Sequence, residues 1–211
     1  MSFEELLVLI SHEPVFSSSL LLSGREDAES VRLQLSRWVN AGKLYQIRRG
    51  LYSLAPPWRK IEPHPFLVAN RLRQGSYVSS QSALAWHGLI PEHTPVVTSV
   101  GAGRPSKTDT PLGSFSFKHI MPALRFGYSK IDVSKGQAAF VATPEKALLD
   151  LLYLTPASDS PDFIDELRLQ NLSVLSKKLL SEVASRANRP KLLRCAKIIE
   201  RLIDSQEDYE L

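Results

Sequence analysis

The segment Lys43-Leu-Tyr-Gln-Ile-Arg-Arg-Gly-Leu-Tyr-Ser-Leu54 constrains this chain more than any other stretch. Two short β-prone runs meet at Arg49-Gly50, and glycine supplies the positive φ that a tight hairpin turn demands. The preceding residues 27–41 place Val31, Leu35 and Trp38 at i, i+4 and i+7, an apolar helical stripe flanked by Val39, and Gly42 closes the helix. A helix, a glycine stop and a β-ribbon tipped by Arg48 and Arg49 form the sequence pattern of a winged helix-turn-helix. In that module a helix enters the major groove and the wing lies on the phosphates. An ordinary helix–hairpin corner with two solvated arginines is the competing reading.

Upstream, residues 3–12 set Phe3, Leu6, Leu7 and Ile10 at helical spacing. Ser17, Ser18 and Ser19 offer caps for a short helix at 20–22 that ends near Gly24, and Asp27 is a cap for the third helix. Residues 1–55 thus read as a winged helix-turn-helix. Residues 56–65 read as a linker, because four of the chain's 14 prolines fall between 55 and 65. Proline stiffens the backbone, so a spacer with few contacts of its own between two separate cores is expected. Residues 66–211 read as a mixed α/β domain. Helices are expected at 66–73 and 81–87, extended chain at 77–79, and strands at 96–100, 114–120 and 137–142. A further helix starts with Thr143 as cap and Pro144 at its first position. After a loop at 155–162, helices are expected at 163–169, 174–187 and 190–205. The expected fold class is α+β: a winged module, then a mixed α/β domain ending in helices.

The 211 residues are 43% hydrophobic, enough for real cores. No apolar run reaches the roughly 20 residues of a membrane span, and no basic start precedes an apolar signal segment. The one cysteine, Cys195, excludes an internal disulfide and suits a reducing cytoplasm. A net charge of +4 and a pI near 9.2 permit nucleic-acid binding without demanding it.

Ser30, Leu33, Gln34, Arg37 and Asn40 lie opposite the Val31/Leu35/Trp38 stripe and are the base-reading candidates. Arg37 matches guanine, Gln34 adenine, and Leu33 a thymine methyl. Arg48, Arg49 and Lys43 are the phosphate candidates. The segment Gly101-Ala-Gly-Arg-Pro-Ser-Lys107-Thr108 nearly matches G-x-x-x-x-G-K-[ST], but Ser106 replaces the second glycine and Pro105 removes an N–H. It reads as an exposed basic loop between strands. The histidines at 12, 64, 87, 93 and 119 lack metal-ligand spacing, and His87 reads as a capping or packing residue. No nucleophile elbow or carboxylate pair argues for catalysis. Near the C-terminus, Lys191, Arg194, Lys197 and Arg201 form one basic stripe, a candidate partner surface. Leu192, Ala196, Ile199 and Ile203 line another face, with Cys195 and Leu202 at its edge. The acidic residues 207–210 are expected to lie past the helix end.

The pattern Leu35-Ser-Arg-Trp-Val-Asn-Ala-Gly-Lys-Leu-Tyr-Gln-Ile-Arg-Arg-Gly-Leu-Tyr52 resembles the N-terminal winged helix of AbiEi-type antitoxins. Tyr77-Val-Ser-Ser-Gln-Ser-Ala-Leu-Ala-Trp-His-Gly-Leu89 and Thr143-Pro-Glu-Lys-Ala-Leu-Leu-Asp150 are similar, in order and spacing, to that family's second domain. The resemblance covers residues 5–155 and, more loosely, the C-terminal helices. It implies a bacterial repressor-antitoxin of the type IV toxin–antitoxin class that represses its own operon at inverted repeats. Its second domain would counteract a nucleotidyltransferase-like toxin, usually without a stable complex. Arg37, Arg48 and Arg49 would then be contacts to operator DNA, and a homodimer on DNA would set the half-site spacing. No cofactor, metal or membrane is expected, and no enzymatic activity. The rivals are a nucleotide-binding or nucleic-acid-processing enzyme using residues 101–108, and a protein–protein adaptor that never touches DNA.

Overall fold

Ser2 starts the fold. Its hydroxyl accepts the Glu5 N–H at 3.1 Å while the Glu5 carboxylate accepts the Ser2 N–H at 2.9 Å, a reciprocal cap on α1 (Phe3–Ile10). The computed structural model describes residues 1–22, 28–91 and 94–209. After α1 come β1 (Phe16–Ser17), α2 (Ser18–Leu22), α3 (Ala28–Asn40), β2 (Leu44–Arg48) and β3 (Leu51–Leu54). The three strands form one antiparallel sheet in the order β1-β3-β2. Val31, Leu35 and Trp38 turn inward from α3 onto Phe3, Leu6 and Leu44, as the helical stripe requires. β1 had no signal in the sequence, because two residues cannot show alternation. It is held by pairing with β3 and by Phe16 stacking on Tyr52 at 5.9 Å. The expected cap Asp27 and the expected helix end at Gly24 lie outside the described residues.

The rest of the chain supplies α4 (Pro65–Leu72), β4 (Tyr77–Val78), α5 (Ser80–Trp86), β5 (Val96–Gly101), β6 (Ser106–Thr110), β7 (Gly113–His119), β8 (Tyr128–Ser134), β9 (Gln137–Ala142) and α6 (Pro144–Leu154). A six-stranded mixed sheet runs β6-β7-β5-β4-β9-β8, with β5/β7 and β4/β9 parallel. The chain continues through α7 (Pro161–Glu166), α8 (Lys177–Ala187) and α9 (Pro190–Tyr209), and α8 and α9 pack on α6. The fold is therefore α+β, as the sequence predicts. β6 and β8 are corrections to the sequence reading. Both are edge strands with almost no buried side chains, so neither carries the apolar alternation that betrays a strand. α8 begins at Lys177, where Ser176 accepts the Leu179 N–H at 3.3 Å, and a short 3₁₀ turn occupies 172–174. α9 runs on to Tyr209, so residues 207–209 belong to the helix and do not trail beyond it, while Glu210 lies outside the described residues.

The described residues form two hydrophobic cores, but these do not divide at the proline-rich segment as cleanly as expected. Val15, Ile47 and Leu51, all before residue 55, belong to the larger core. The segment itself is packed. Trp58 meets Phe3 edge-on at 5.6 Å, Arg59 pairs with Glu62 at 2.5 Å, and the Gln137 amide brackets the backbone. Gln137 Oε1 accepts the His64 N–H at 2.8 Å, and its Nε2 donates to the Glu62 carbonyl at 2.9 Å. Proline removes N–H donors but does not stop neighbouring side chains and carbonyls from docking. The spacer is thus a packed strap.

The motif 143–150 is explained by burial. Thr143 Oγ1 accepts the Lys146 N–H at 3.3 Å and Pro144 occupies the first turn, as expected of this helix start. The Glu145 carboxylate accepts the Ser176 N–H at 3.0 Å and so holds the entry to α8. Lys146 and Asp150, one turn apart, form an ion pair whose side chains are each 3% exposed. Lys146 Nζ also donates to the Tyr77 hydroxyl at 3.0 Å. Asp150 Oδ2 accepts from Tyr77 at 3.0 Å and from Ser79 at 2.7 Å. Burial pushes the Asp150 carboxyl up and the Lys146 ammonium down from their ordinary values, and each charge restrains the other's shift. Burial, then the Asp150 charge, holds the Tyr77 phenol far above its usual range. Gly127, at φ +69°, crosses so closely that a Cβ there would lie 3.1 Å from the Lys146 stem.

Asp150→Ala should lose about 3–5 kcal/mol, because it strands a buried ammonium. Lys146→Met/Asp150→Leu should lose less than either single apolar replacement. Urea unfolding of Asp150→Ala, of the double variant and of its two single components measures this, and additive losses in the double variant would disprove the coupling.

Candidate nucleic-acid interface

α3 presents Ser30, Leu33, Arg37 and Asn40 to solvent and keeps Gln34 half-buried, with Leu33 53% exposed. These are the base-reading candidates, and one helical face brings them together. Arg32 is also exposed on the flank of that face. Its position beside Val31 hid it from the periodicity argument.

The hairpin turns at Arg49-Gly50. Gly50 sits at φ +78°, its carbonyl accepts the Ser18 N–H at 2.9 Å, and a Cβ would come within 3.2 Å of Ser18 Oγ. The register slips between Gln46 and Arg48, and the extra residue Ile47 drops into the larger core. The bulge leaves Arg48 and Arg49 exposed at the tip. The Arg48 guanidinium lies along the tip, 3.2 Å from the Arg49 carbonyl and 3.5 Å from the Arg71 carbonyl on α4. Arg49 is thus the cation presented outward.

Lys43 does not join them. Its carbonyl closes the base of the hairpin by accepting the Ala55 N–H at 3.0 Å, and its ammonium lies 4.5 Å from the Phe3 ring and 5.9 Å from Trp58. Five strand residues, about 17 Å, separate it from the tip. Spacing in sequence placed it near the arginines, but the hairpin carries it to the opposite end. Instead, the structure brings the end of α4 against the tip through the Arg71 carbonyl, and Arg73 then ties in the loop that carries Arg104. Arg73 donates to the Arg104 carbonyl at 2.9 Å and to Ser106 Oγ at 2.7 Å, with its guanidinium 4.5 Å over Phe117. No local pattern in the sequence marks these residues, because the turn after α4 and the β5–β6 loop are far apart along the chain.

The other candidates resolve as structure. Gly101 ends β5, and Ser106-Lys107-Thr108 lie in β6 with Lys107 opposite Ser116. Half of the expected basic loop is therefore strand, and no helix N-terminus follows to cradle a phosphate. His64 caps α4 by accepting the Phe66 N–H at 3.2 Å, His87 meets the Ala142 carbonyl at 2.8 Å, and His119 meets the Ala102 carbonyl at 3.1 Å. His93 lies outside the described residues. Among the described residues no His, Cys, Asp and Glu cluster can hold a metal, and none of the helices is long and apolar enough to cross a membrane. The C-terminal stripe is split. Lys191 donates to the Thr155 carbonyl and Arg194 grips Asp159 at 2.6 and 3.0 Å, so both tie α9 to the 155–160 loop. Lys197 and Arg201 stay exposed, and Cys195 is fully buried.

No protein-family model matches the sequence, and no curated protein matches it. Among solved structures, the crystal structure of the Rv2827c protein from Mycobacterium tuberculosis is similar, with a TM-score of 0.57 at 16% identity. The match covers 93% of this chain and 75% of that one. At this identity the likeness is one of fold.

Gly50→Ala should destabilise the chain by about 1–3 kcal/mol, since the new Cβ enforces a strained φ beside Ser18. Thermal melts of Gly50→Ala and of Gly42→Ala, where a Cβ meets nothing within 4 Å, separate the close approach from the backbone strain.

Proposed function

We propose that this chain is a DNA-binding transcriptional regulator acting in the cytoplasm, with residues 1–55 as a winged helix-turn-helix. The observation that carries the reading is the pairing of an exposed polar helix face on α3 with a hairpin that offers Arg49 to solvent. α3 would lie in the major groove of an operator, where Arg37, Gln34 and Leu33 read base edges. The tip would neutralise phosphates. Inverted repeats bound by a homodimer fit such a module. The resemblance of residues 35–52, 77–89 and 143–150 to AbiEi-type antitoxins supports an autorepressing antitoxin of a type IV pair, with the second domain countering a nucleotidyltransferase-like toxin. Lys197 and Arg201 are the part of the basic stripe left for that partner.

The rival enzyme reading rests on residues 101–108, where Ser106, Lys107 and Thr108 pair in β6. The shifted Lys146, Asp150 and Tyr77 are buried against one another, which favours a structural role for them.

Arg49→Ala should weaken binding to all duplexes alike and reduce the log–log salt slope by about 0.9. Arg37→Ala should instead narrow the gap between operator and random DNA by about 1–3 kcal/mol. Fluorescence anisotropy at several salt concentrations reads both, and folded variants indistinguishable from wild type on every duplex would refute the proposal. Lys197→Glu/Arg201→Glu should abolish toxin neutralisation in cells while operator binding persists. Rescue by this variant would remove the stripe from the partner surface.

A further inference from the structure

The wing is not a free arm. Ile47 and Leu51 on its inner side are part of the larger core, β2 runs beside β6, and Arg48 reaches the Arg71 carbonyl at 3.5 Å. From that contact a series of arginines continues across the junction. Arg71 lies in the last turn of α4, Arg73 follows the helix, and Arg73 holds the Arg104 carbonyl at 2.9 Å. The side chains of Arg48, Arg49, Arg71 and Arg104 are exposed, and Arg73 is half-buried against Phe117. Among the described residues none of the five forms an ion pair. The carboxylates near them are few. Glu13 lines the same groove as Arg71 and Lys130, and Asp109 on β6 accepts from Ser114 at 2.6 Å. A chain with a net charge of only +4 thus sets five arginines in series along this junction, linked through the Arg71 and Arg104 main-chain carbonyls and without partner carboxylates. A surface region rich in positive charge attracts anions, and a duplex backbone supplies them at regular spacing.

We infer that the second domain is part of the DNA interface, with Arg71 and Arg104 binding phosphates beyond those met by the hairpin tip. Arg73 is a positioning residue that fixes the β5–β6 loop carrying Arg104. This inference rests on the DNA-binding reading above. It also makes the two halves one binding body. A fragment 1–60 exposes Val15, Ile47 and Leu51 and loses part of the series.

The test uses the full chain and Arg71→Ala/Arg104→Ala. The main-chain carbonyls that accept from Arg48 and Arg73 survive in this variant, so its melting temperature should match wild type. On a mixed-sequence duplex of about 30 base pairs the log–log salt slope should fall by about 1.8, twice the single-contact value. Lys197→Ala/Arg201→Ala removes the same charge elsewhere and should leave the slope unchanged. An Arg71/Arg104 variant with the wild-type slope, in a protein whose binding still responds to Arg49→Ala, overturns the inference and spares the DNA-binding reading. Equal slope losses in the two double variants also overturn it, because net charge would then be the cause. A folded wild type with no salt-dependent duplex binding defeats the DNA-binding reading itself.

Discussion

A lysine and an aspartate sealed between a helix and a sheet hold the six-stranded sheet and its helical layer in register. Desolvating Lys146 and Asp150 is unfavourable, and their mutual attraction offsets it only because the remaining donors and acceptors are also matched. Tyr77 and Ser79 supply those matches from β4 and its end, at the middle of the six-stranded sheet. The helix carrying the pair also carries Glu145, which fixes the entry to α8, and α8 and α9 close over it. Sheet centre and helical layer are therefore positioned by one short motif, and its chemistry is consumed by that task.

On this frame the hairpin has two allegiances. Leu44, Tyr52 and Leu54 pack with α1 and α3, while Ile47 and Leu51 belong to the larger core. A single bulge makes this possible. It inserts Ile47 so that an apolar side chain points down while the neighbouring arginines stay in solvent. A hairpin anchored on both sides presents its tip at a fixed place relative to α3 and α4.

The cations show how little formal charge says by itself. Lys146 is buried in an ion pair, Lys191 and Arg194 fasten a loop to α9, and Lys43 and Arg186 lie over aromatic rings. Lys197, Arg201, Arg49, Arg71 and Arg104 keep exposed side chains. Every one of these residues contributes equally to the pI.

The sequence by itself determined whatever depends on local rules. The Arg49-Gly50 turn follows from glycine's access to positive φ, the two faces of α3 from helical period, and the start of α6 from a threonine cap before a proline. The α+β class and most element positions follow in the same way. Edge strands β6 and β8 escaped because their side chains stay in solvent, and β1 because two residues carry no period. Only the tertiary structure decided which basic residues share a surface. Lys43, six residues from Arg49, is carried to the far end of the hairpin, whereas Arg104, over fifty residues away, is tied through Arg73 into the series that continues from the tip. Local preferences fix conformation along the chain, but proximity across it comes from burying Ile47 and Leu51 in a core that the rest of the protein provides.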